Sequence, residues 1–231
     1  MKKEDIAGIF NSIYGRYDLA NTLLSAGVEK SWRRHFLKRF SSCDRIILDA
    51  CCGTGISSYQ ISRKLKDSNI YGVDFSEMML AVAKKNYSNI SNLKFLKSDA
   101  SILNFSDNYF DCISIVFGIR NITDRKAALT EFYRVARPGS KLLIMEFGNI
   151  EKSFFASVYN FYLGRILPNL GGALTGNKDA YRYLVHSIRE FPKPEVFIKL
   201  IESAGWREVE ASYLTAGICN IYSAFKPEQS N

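Results

Sequence analysis

A doubly wound α/β fold, with a mostly parallel sheet of seven strands and an antiparallel C-terminal strand, is what this sequence predicts. Three observations lead there. From Arg45 onward, short apolar runs alternate with segments of helical period. The first of those runs ends in a tight glycine loop, "ILDACCGTGISSYQ", which opens into a helix. The last two, "WREVEASYL" and "ICNIYSAFK", alternate residue by residue, the pattern of a closing antiparallel hairpin.

The elements follow in order. Ile6, Ile9, Phe10, Ile13 and Tyr17 recur at helical spacing and predict an opening amphipathic helix. A second helix is expected from about Val28 to Phe40, with Trp32, Phe36 and Phe40 on one face and Lys30, Arg33, Arg34, Lys38 and Arg39 on the rest. "RIILD" reads as the first strand, and the segment after Gly55 as a helix carrying Ser58, Ile61 and Leu65. "NIYGVD" is the second strand, and Ser76 is placed to cap the helix of Met78, Met79 and Val82. "LKFLKSD" is the third. "FDCISIVFG" is the fourth, apolar enough to be covered on both faces. Thr123 is expected to cap the next helix, with Ala128, Phe132 and Val135, and "RPGS" to end it before the fifth strand, "KLLIMEF". Pro194 opens a last helix that Gly205 ends. Right-handed crossovers between these parallel strands put helices on both faces.

Residues 153–177 interrupt the alternation. Arg165 is the only charge between Lys152 and Lys178, and Phe154, Phe155, Tyr159, Phe161 and Tyr162 crowd the segment. It reads as a buried helix pair, as a greasy insertion over a site, or as both. The chain thus divides into a helical cap over 1–44, a cofactor-binding core over 45–150, an apolar helical insertion over 151–190, and a closing helix and hairpin over 191–231, all in one domain.

Composition narrows the function. The chain has 231 residues, 47% hydrophobic and 23% charged, ordinary for a soluble globular protein. "MKKEDIAGIF" lacks the apolar stretch of a secretory signal, and no run of about 20 apolar residues suggests a membrane span. A cytoplasmic protein, peripheral to the inner face of the membrane, is the expectation. The net charge of +8 points to an anionic partner, nucleic acid or membrane. Five cysteines without a CxxC pair, and two histidines, His35 and His186, without ligand spacing, predict no metal site and a reducing compartment.

The glycine loop sits where the first strand ends, the place where open α/β sheets bind ligands. Gly53 and Gly55 let the backbone turn tightly and approach a ligand, and the helix start behind them favours a negative group. "GTGISS" lacks the third glycine of a dinucleotide fingerprint, and Asp49 before the loop would repel a pyrophosphate. S-adenosylmethionine, with an ammonium, a sulfonium and no phosphate, suits an acid there. Asp74, ending the second strand, is placed to accept both ribose hydroxyls, and Asp99 in "SDA", after the third, to meet the adenine. Each acid has the plainer alternative of capping the next helix. The cysteines of the loop then need be no more than small residues in a tight turn.

Across nearly the whole chain, the order of motifs resembles the ubiquinone/menaquinone biosynthesis C-methyltransferase family. "YDLANTLLSAGVEKSW" is similar to its first motif and "RVARPGSKLLIMEFG" to its second, with "LDACCGTG", "DFSEMML" and "FGIRNITD" between them and "DAYRYLVHSI" after. The resemblance implies a class I, Rossmann-like S-adenosylmethionine-dependent methyltransferase that methylates a ring carbon of a polyprenylated quinol. It carries Thr54, Asp74, Asp99 and Ala100 over as cofactor-binding residues. Val116 stands where the family often has a serine assigned to the cofactor, so that contact is not carried over. Glu29 stands where the family motif usually has His, and Ala20, Ser140 and Gly148 also depart from it. The double cysteine is more familiar from the menaquinone branch, which favours demethylmenaquinol over a ubiquinone-pathway benzoquinol.

With such an acceptor, Arg120 and Asn121, after the fourth strand, are the catalytic candidates. Arginine stays protonated and serves to hold a quinol oxyanion or orient a water, while Asn121 positions the ring. Tyr17 and Tyr181 are expected to wall the site, and His186 reads as a surface histidine rather than a base. The expected partners are the polyprenylated demethylquinol, an anionic membrane surface against Arg33, Arg34, Lys38 and Arg39, and no nucleic acid; whether a second copy joins in a homodimer is left open. An RNA methyltransferase would want an RNA-binding module or dense basic face, and a non-catalytic cofactor-binding module would leave Arg120, Asn121 and the apolar insertion without purpose.

Overall fold

The computed structural model describes residues 17–148, 154–175 and 177–228, together with Gly8. The expected opening helix through Ile6, Ile9, Phe10 and Ile13 lies outside the described residues, as does the side chain of Tyr17. The chain enters through α1 (Tyr17–Leu24) and α2 (Glu29–Leu37). The alternating core follows as β1 (Ile46–Ala50), α3 (Ile56–Lys64), β2 (Asn69–Asp74), α4 (Glu77–Tyr87), β3 (Leu93–Lys97), β4 (Phe110–Val116), α5 (Arg125–Val135) and β5 (Ala136–Phe147). Then come α6 (Phe154–Phe161), a π-helical turn (Tyr162–Ile166), α7 (Leu167–Thr175), α8 (Lys178–Arg189) and α9 (Pro194–Ser203). β6 (Arg207–Leu214) and β7 (Cys219–Phe225) close the chain.

The strands form one seven-stranded sheet in the order β3-β2-β1-β4-β5-β7-β6. Every pairing is parallel except those of β7, which runs antiparallel to both β5 and β6. The hairpin is therefore folded so that its second strand, not its first, joins the sheet. The order reverses between β1 and β4, the crevice where such sheets bind ligands.

Alternation along the strands builds two cores. Ile47, Ile70, Cys112, Leu143, Met145 and Ile221 point to one face, covered by Trp32, Phe36 and Phe40, by Ile61 and Leu80, and by Tyr159, Leu163, Leu167 and Tyr181 from the later helices. Leu48, Val73, Ile113, Ile115, Ile144 and Tyr222 point to the other, covered by Ala128, Phe132, Phe197, Ile201 and Trp206 from α5, α9 and the turn after it. Each buried Leu, Ile, Val, Phe or Met among them contributes roughly 1.5–3 kcal/mol by leaving water. No helix among the described residues is long and apolar enough to cross a membrane.

Two local expectations are corrected. Asp124, not Thr123, caps α5, its carboxylate accepting from the Ala127 amide at 2.9 Å. "RPGS" does not stand as a separate helix stop, since α5 ends at Val135 and β5 begins at Ala136, with a register break between Phe110 and Cys112 opposite this stretch. Gly139 takes a φ of 76° there, so the strand swallows the turn by bulging.

A third correction concerns α2. Arg33 does not face outward. It is 5% exposed, packed with Trp32 and Phe36 on the core side. Arg34, Lys38 and Arg39 are exposed, but the carbonyls of Leu37 and Phe40 meet the Lys64 ammonium at the end of α3, beside the amino edge of the sheet. The basic end of α2 thus lies far from the edge where the acids gather.

Candidate functional site

Three strand ends bring the predicted acids together. Asp49 is the fourth residue of β1, Asp74 the last of β2, and Asp99 follows β3 by two positions. The loop between β1 and α3 crosses in front of them. Cys51 and Gly53 adopt φ of 52° and 55°, and Gly55 a φ of 83° as the residue before α3. Any side chain at Gly55 would also strike the Phe95 ring, 2.7 Å from where its Cβ would stand. Across the switch point, a Cβ on Gly118 would lie 2.6 Å from the Cys51 Cβ, so the loop is pressed against the end of β4.

Asp74 holds this loop. One carboxylate oxygen accepts from the Gly53 amide at 2.8 Å and the other from the Ser76 amide at 2.8 Å. Burial raises its pKa from the ordinary carboxylate value, opposed by these amides and that of Phe75. Each oxygen keeps a second lone pair, so the contacts leave room for ribose hydroxyls. Asp99 is half-buried, its carboxylate accepting from the Ser101 amide at 2.8 Å. Ala100 and Thr54 are buried beside it and within the loop. The capping alternative therefore coexists with ligand binding, because Asp74 and Asp99 both tie their own turns while lining the edge.

Asp49 is placed differently. It is 1% exposed and accepts from the hydroxyls of Ser58 at 2.6 Å and Ser114 at 2.9 Å. Desolvation pushes its pKa up to about 6, opposed by those two hydroxyls and by the nearby Arg33 charge. It lies beneath the loop as a negative charge spanning β1, α3 and β4.

Among the described residues no three His, Cys, Asp or Glu side chains converge. All five cysteines are free, and burial pushes the thiols of Cys51, Cys52, Cys112 and Cys219 well up from their ordinary value, so they stay protonated.

At the end of β4 the chain makes a turn of 3-10 helix, Ile119–Asn121. Arg120 is buried in it. Its Nη1 donates to the Phe117 carbonyl at 2.7 Å and to Glu146 Oε1 at 2.5 Å, and the guanidinium lies 5.3 Å from the centre of the Phe147 ring. Glu146 also accepts from the Arg120 and Phe147 amides, at 3.2 and 2.8 Å. Both side chains of the pair are fully buried. Glu146 was not singled out by sequence reasoning, although a carboxylate inside the apolar run "KLLIMEF" was the signal. Asn121 accepts from the Tyr183 hydroxyl at 3.1 Å, which links the turn to α8.

Above this lie the later helices. Tyr159 and Tyr162 donate to the carbonyls of Leu24 and Leu23 at the end of α1. Tyr181 is fully buried, its ring filling the space left by Gly171 of α7. His186 is exposed on the outer side of α8. The structure gathers Asp49, Gly53, Thr54, Gly55, Asp74, Asp99 and Ala100 at one end of the edge and Arg120 and Asn121 at the other, with Tyr181 packed under the apolar helices.

Arg33, read from the sequence as part of a membrane-facing basic set, instead reaches this edge. Its Nη1 donates to Ser57 Oγ in the first turn of α3 at 2.7 Å, and its guanidinium lies 5.5 Å from the centre of the Phe117 ring. Its Nε is buried without a hydrogen-bond partner. A loop whose glycines admit close approach, acids at three strand ends, and the buried Arg33 with its unpartnered Nε fit a zwitterionic, sulfonium-bearing nucleoside such as S-adenosylmethionine.

Comparison with known proteins agrees. A phosphoethanolamine N-methyltransferase 2 of Haemonchus contortus, solved with S-adenosyl-L-methionine, superposes with a TM-score of 0.65 at 19% identity, over 86% of this chain and 53% of that one. A SAM-dependent methyltransferase of Thermotoga maritima gives 0.66 at 20%, over 95% and 98%. These share the fold. The "Ubiquinone/menaquinone biosynthesis C-methyltransferase UbiE" of Rickettsia felis is 39% identical over 97% of this chain and 94% of its own length, and its namesake in a Marinomonas species is 35% identical over 97% and 92%. The family model matches residues 1–226, and the chain belongs to the ubiE/COQ5 methyltransferase family.

Proposed function

We propose that this protein methylates a ring carbon of demethylmenaquinol at the surface of an anionic membrane. The coarser statement follows from the family: it is an S-adenosylmethionine-dependent C-methyltransferase of ubiquinone/menaquinone biosynthesis. The menaquinone branch is favoured by the double cysteine, Cys51 and Cys52, of the loop.

One observation carries the choice of a lipid-borne acceptor: the helical stretch 154–175 is apolar on both faces. Tyr159, Leu163 and Leu167 turn inward and are buried. Val158, Phe161, Ile166 and Leu170 turn outward, Phe161 with 62% of its surface exposed. The π turn adds a residue to the helical count, which keeps the four outward residues in phase on one side. An apolar stripe of this kind suits the headgroup boundary of a bilayer. Flanking it, Arg165, Lys178, Arg182 and Arg189 are exposed, and each cation near an anionic surface contributes about 1 kcal/mol.

When bound, S-adenosylmethionine supplies an electrophilic methyl group. The protein must supply an electron-rich ring carbon and align it. A quinol hydroxyl resembles tyrosine, with a pKa of about 10, so ionising it at pH 7 costs roughly 4 kcal/mol. Arg120 is assigned to stabilise that oxyanion. Its pairing with Glu146 makes the couple neutral overall, so it offers an N–H of fixed direction rather than bulk positive potential. Asn121, held by Tyr183, positions the ring. The apolar helices exclude water and hold the tail, and alignment of carbon and methyl contributes up to roughly 7–11 kcal/mol in favourable cases.

Incubation with methyl-labelled S-adenosylmethionine and either demethylmenaquinol, a demethylated benzoquinol of the ubiquinone pathway, or total RNA tests this reading. Label is expected in the naphthoquinol, in anionic vesicles more than in neutral ones. Faster labelling of the benzoquinol would reverse the branch, and label in RNA would overturn the acceptor altogether.

A further inference from the structure

We infer that Arg33, carried into the site by α2, is the anchor for the carboxylate of the cofactor's amino-acid end. The inference rests only on the cofactor part of the functional reading above, not on the quinol.

The placement comes first. α2 precedes the sheet, yet it lays Arg33 across the crevice where the strand order reverses. Its guanidinium touches the first turn of α3 through Ser57 and faces Phe117 at the end of β4. It is close enough to Asp49 to lower that group's otherwise raised pKa. The amino-acid end of the cofactor bears one carboxylate, and the start of α3 already offers it a positive dipole end.

The second observation is the state of Arg33 itself. It is nine-tenths buried or more, and a buried guanidinium without full pairing is costly. Glu29, one helical turn earlier, stands 3.9 Å from its Nε. That distance offsets charge but makes no hydrogen bond, and Nε has none. Arg120, by contrast, closes on Glu146 at 2.5 Å. At Arg33 the counter-ion is held back and a donor is kept in reserve. An incoming carboxylate would complete the set, in the forked geometry that arginine favours.

Calorimetry on the full chain separates this role from a structural one. The probes are S-adenosylhomocysteine, which keeps the amino-acid end, its decarboxylated analogue, which keeps the ammonium alone, and 5′-methylthioadenosine, which lacks both. In the wild-type protein, removing the carboxylate is expected to weaken binding about tenfold or more. In Arg33→Gln, S-adenosylhomocysteine is expected to weaken by a similar factor, while methylthioadenosine binds within about twofold of wild type. Arg33→Lys should recover part of the loss. Equal weakening of both nucleosides in Arg33→Gln, or no penalty for decarboxylation in the wild type, would overturn the assignment. The wild-type comparison needs no variant, so it stands even if Arg33→Gln fails to fold. Failure of quinol methylation with this binding pattern intact would count against the acceptor alone, whereas absence of all three complexes would remove the cofactor itself.

Discussion

Two buried arginine–glutamate pairs lie on either side of a stacked pair of rings, and they are built to different tolerances. Phe117 and Phe147 stack at 4.6 Å between centroids, with Arg33 against the first and Arg120 against the second. Arg120 and Glu146 close to 2.5 Å with both side chains sealed. Arg33 and Glu29 stop at 3.9 Å with 6% of each side chain exposed. The tight pair spends its charges on each other and on the backbone of Phe117, Arg120 and Phe147, so it fixes the turn after β4. The loose pair leaves the Arg33 Nε without a hydrogen bond, beside the first turn of α3. Proximity of opposite charges alone therefore does not say which arginine meets a ligand.

Removing one partner of each pair gives the largest contrast. Glu146→Gln leaves a sealed guanidinium without its charge partner, and should lower unfolding free energy by about 3–5 kcal/mol. Glu29→Gln should cost clearly less, since it breaks a contact that is already long. Urea unfolding of the two variants decides this, and equal costs would erase the distinction between the pairs.

Asp49 lies within reach of the looser pair's Arg33 charge. Its pKa is raised from 3.8 to about 6 by burial, so the folded protein binds its proton more tightly than the unfolded chain does. The stability this gives is complete below about pH 3.8 and is lost as pH rises through about 6. At pH 7 the ionised group should therefore cost the free protein roughly 3 kcal/mol, because each tenfold gain in proton affinity is worth about 1.36 kcal/mol. Asp49→Asn should unfold at higher denaturant than wild type above pH 6, and the gain should vanish near pH 4. A variant advantage that does not depend on pH would show that ionisation of Asp49 is not its source.

Replacing the tight pair as a whole separates its structural from its chemical role. In Arg120→Met combined with Glu146→Leu, no buried charge is left unpaired, and stability should stay close to wild type. Turnover should nevertheless fall by about a hundredfold or more, with the affinity for S-adenosylhomocysteine unchanged. Wild-type turnover in that double variant would leave the pair as scaffold only.

The edge where the acids gather was legible because it is local. Gly53, Gly55, Asp74 and Asp99 each sit where a strand ends, and strand ends show as a change from apolar to polar residues. Asp49 was legible in position but not in exposure, since the two serines that enclose it come from α3 and from β4, far apart in sequence. The apolar segment 154–175 announced itself by lacking charge. That its outward side stays in phase depends on a π turn, which composition does not reveal.

α2 shows the boundary most sharply. Its positive charges read as a basic face, with Arg33 among them. Helical spacing alone puts Glu29, Trp32, Arg33, Phe36 and Phe40 on one side, a stripe in which two charged residues share the face of three buried aromatics. The pattern held that information, and the average charge concealed it.

The sequence by itself determined the order of strands and helices, the glycine loop, the acids at the strand ends and the family, because backbone period, turn chemistry and motif order are written in neighbouring residues. Only the tertiary structure decided that Glu146 seals Arg120, that Arg33 is inside, and that β7 rather than β6 joins β5. Those outcomes depend on which distant side chains share a dry interior, where a charge must find a partner across the fold or lose several kcal/mol, by the order of magnitude known for buried ions.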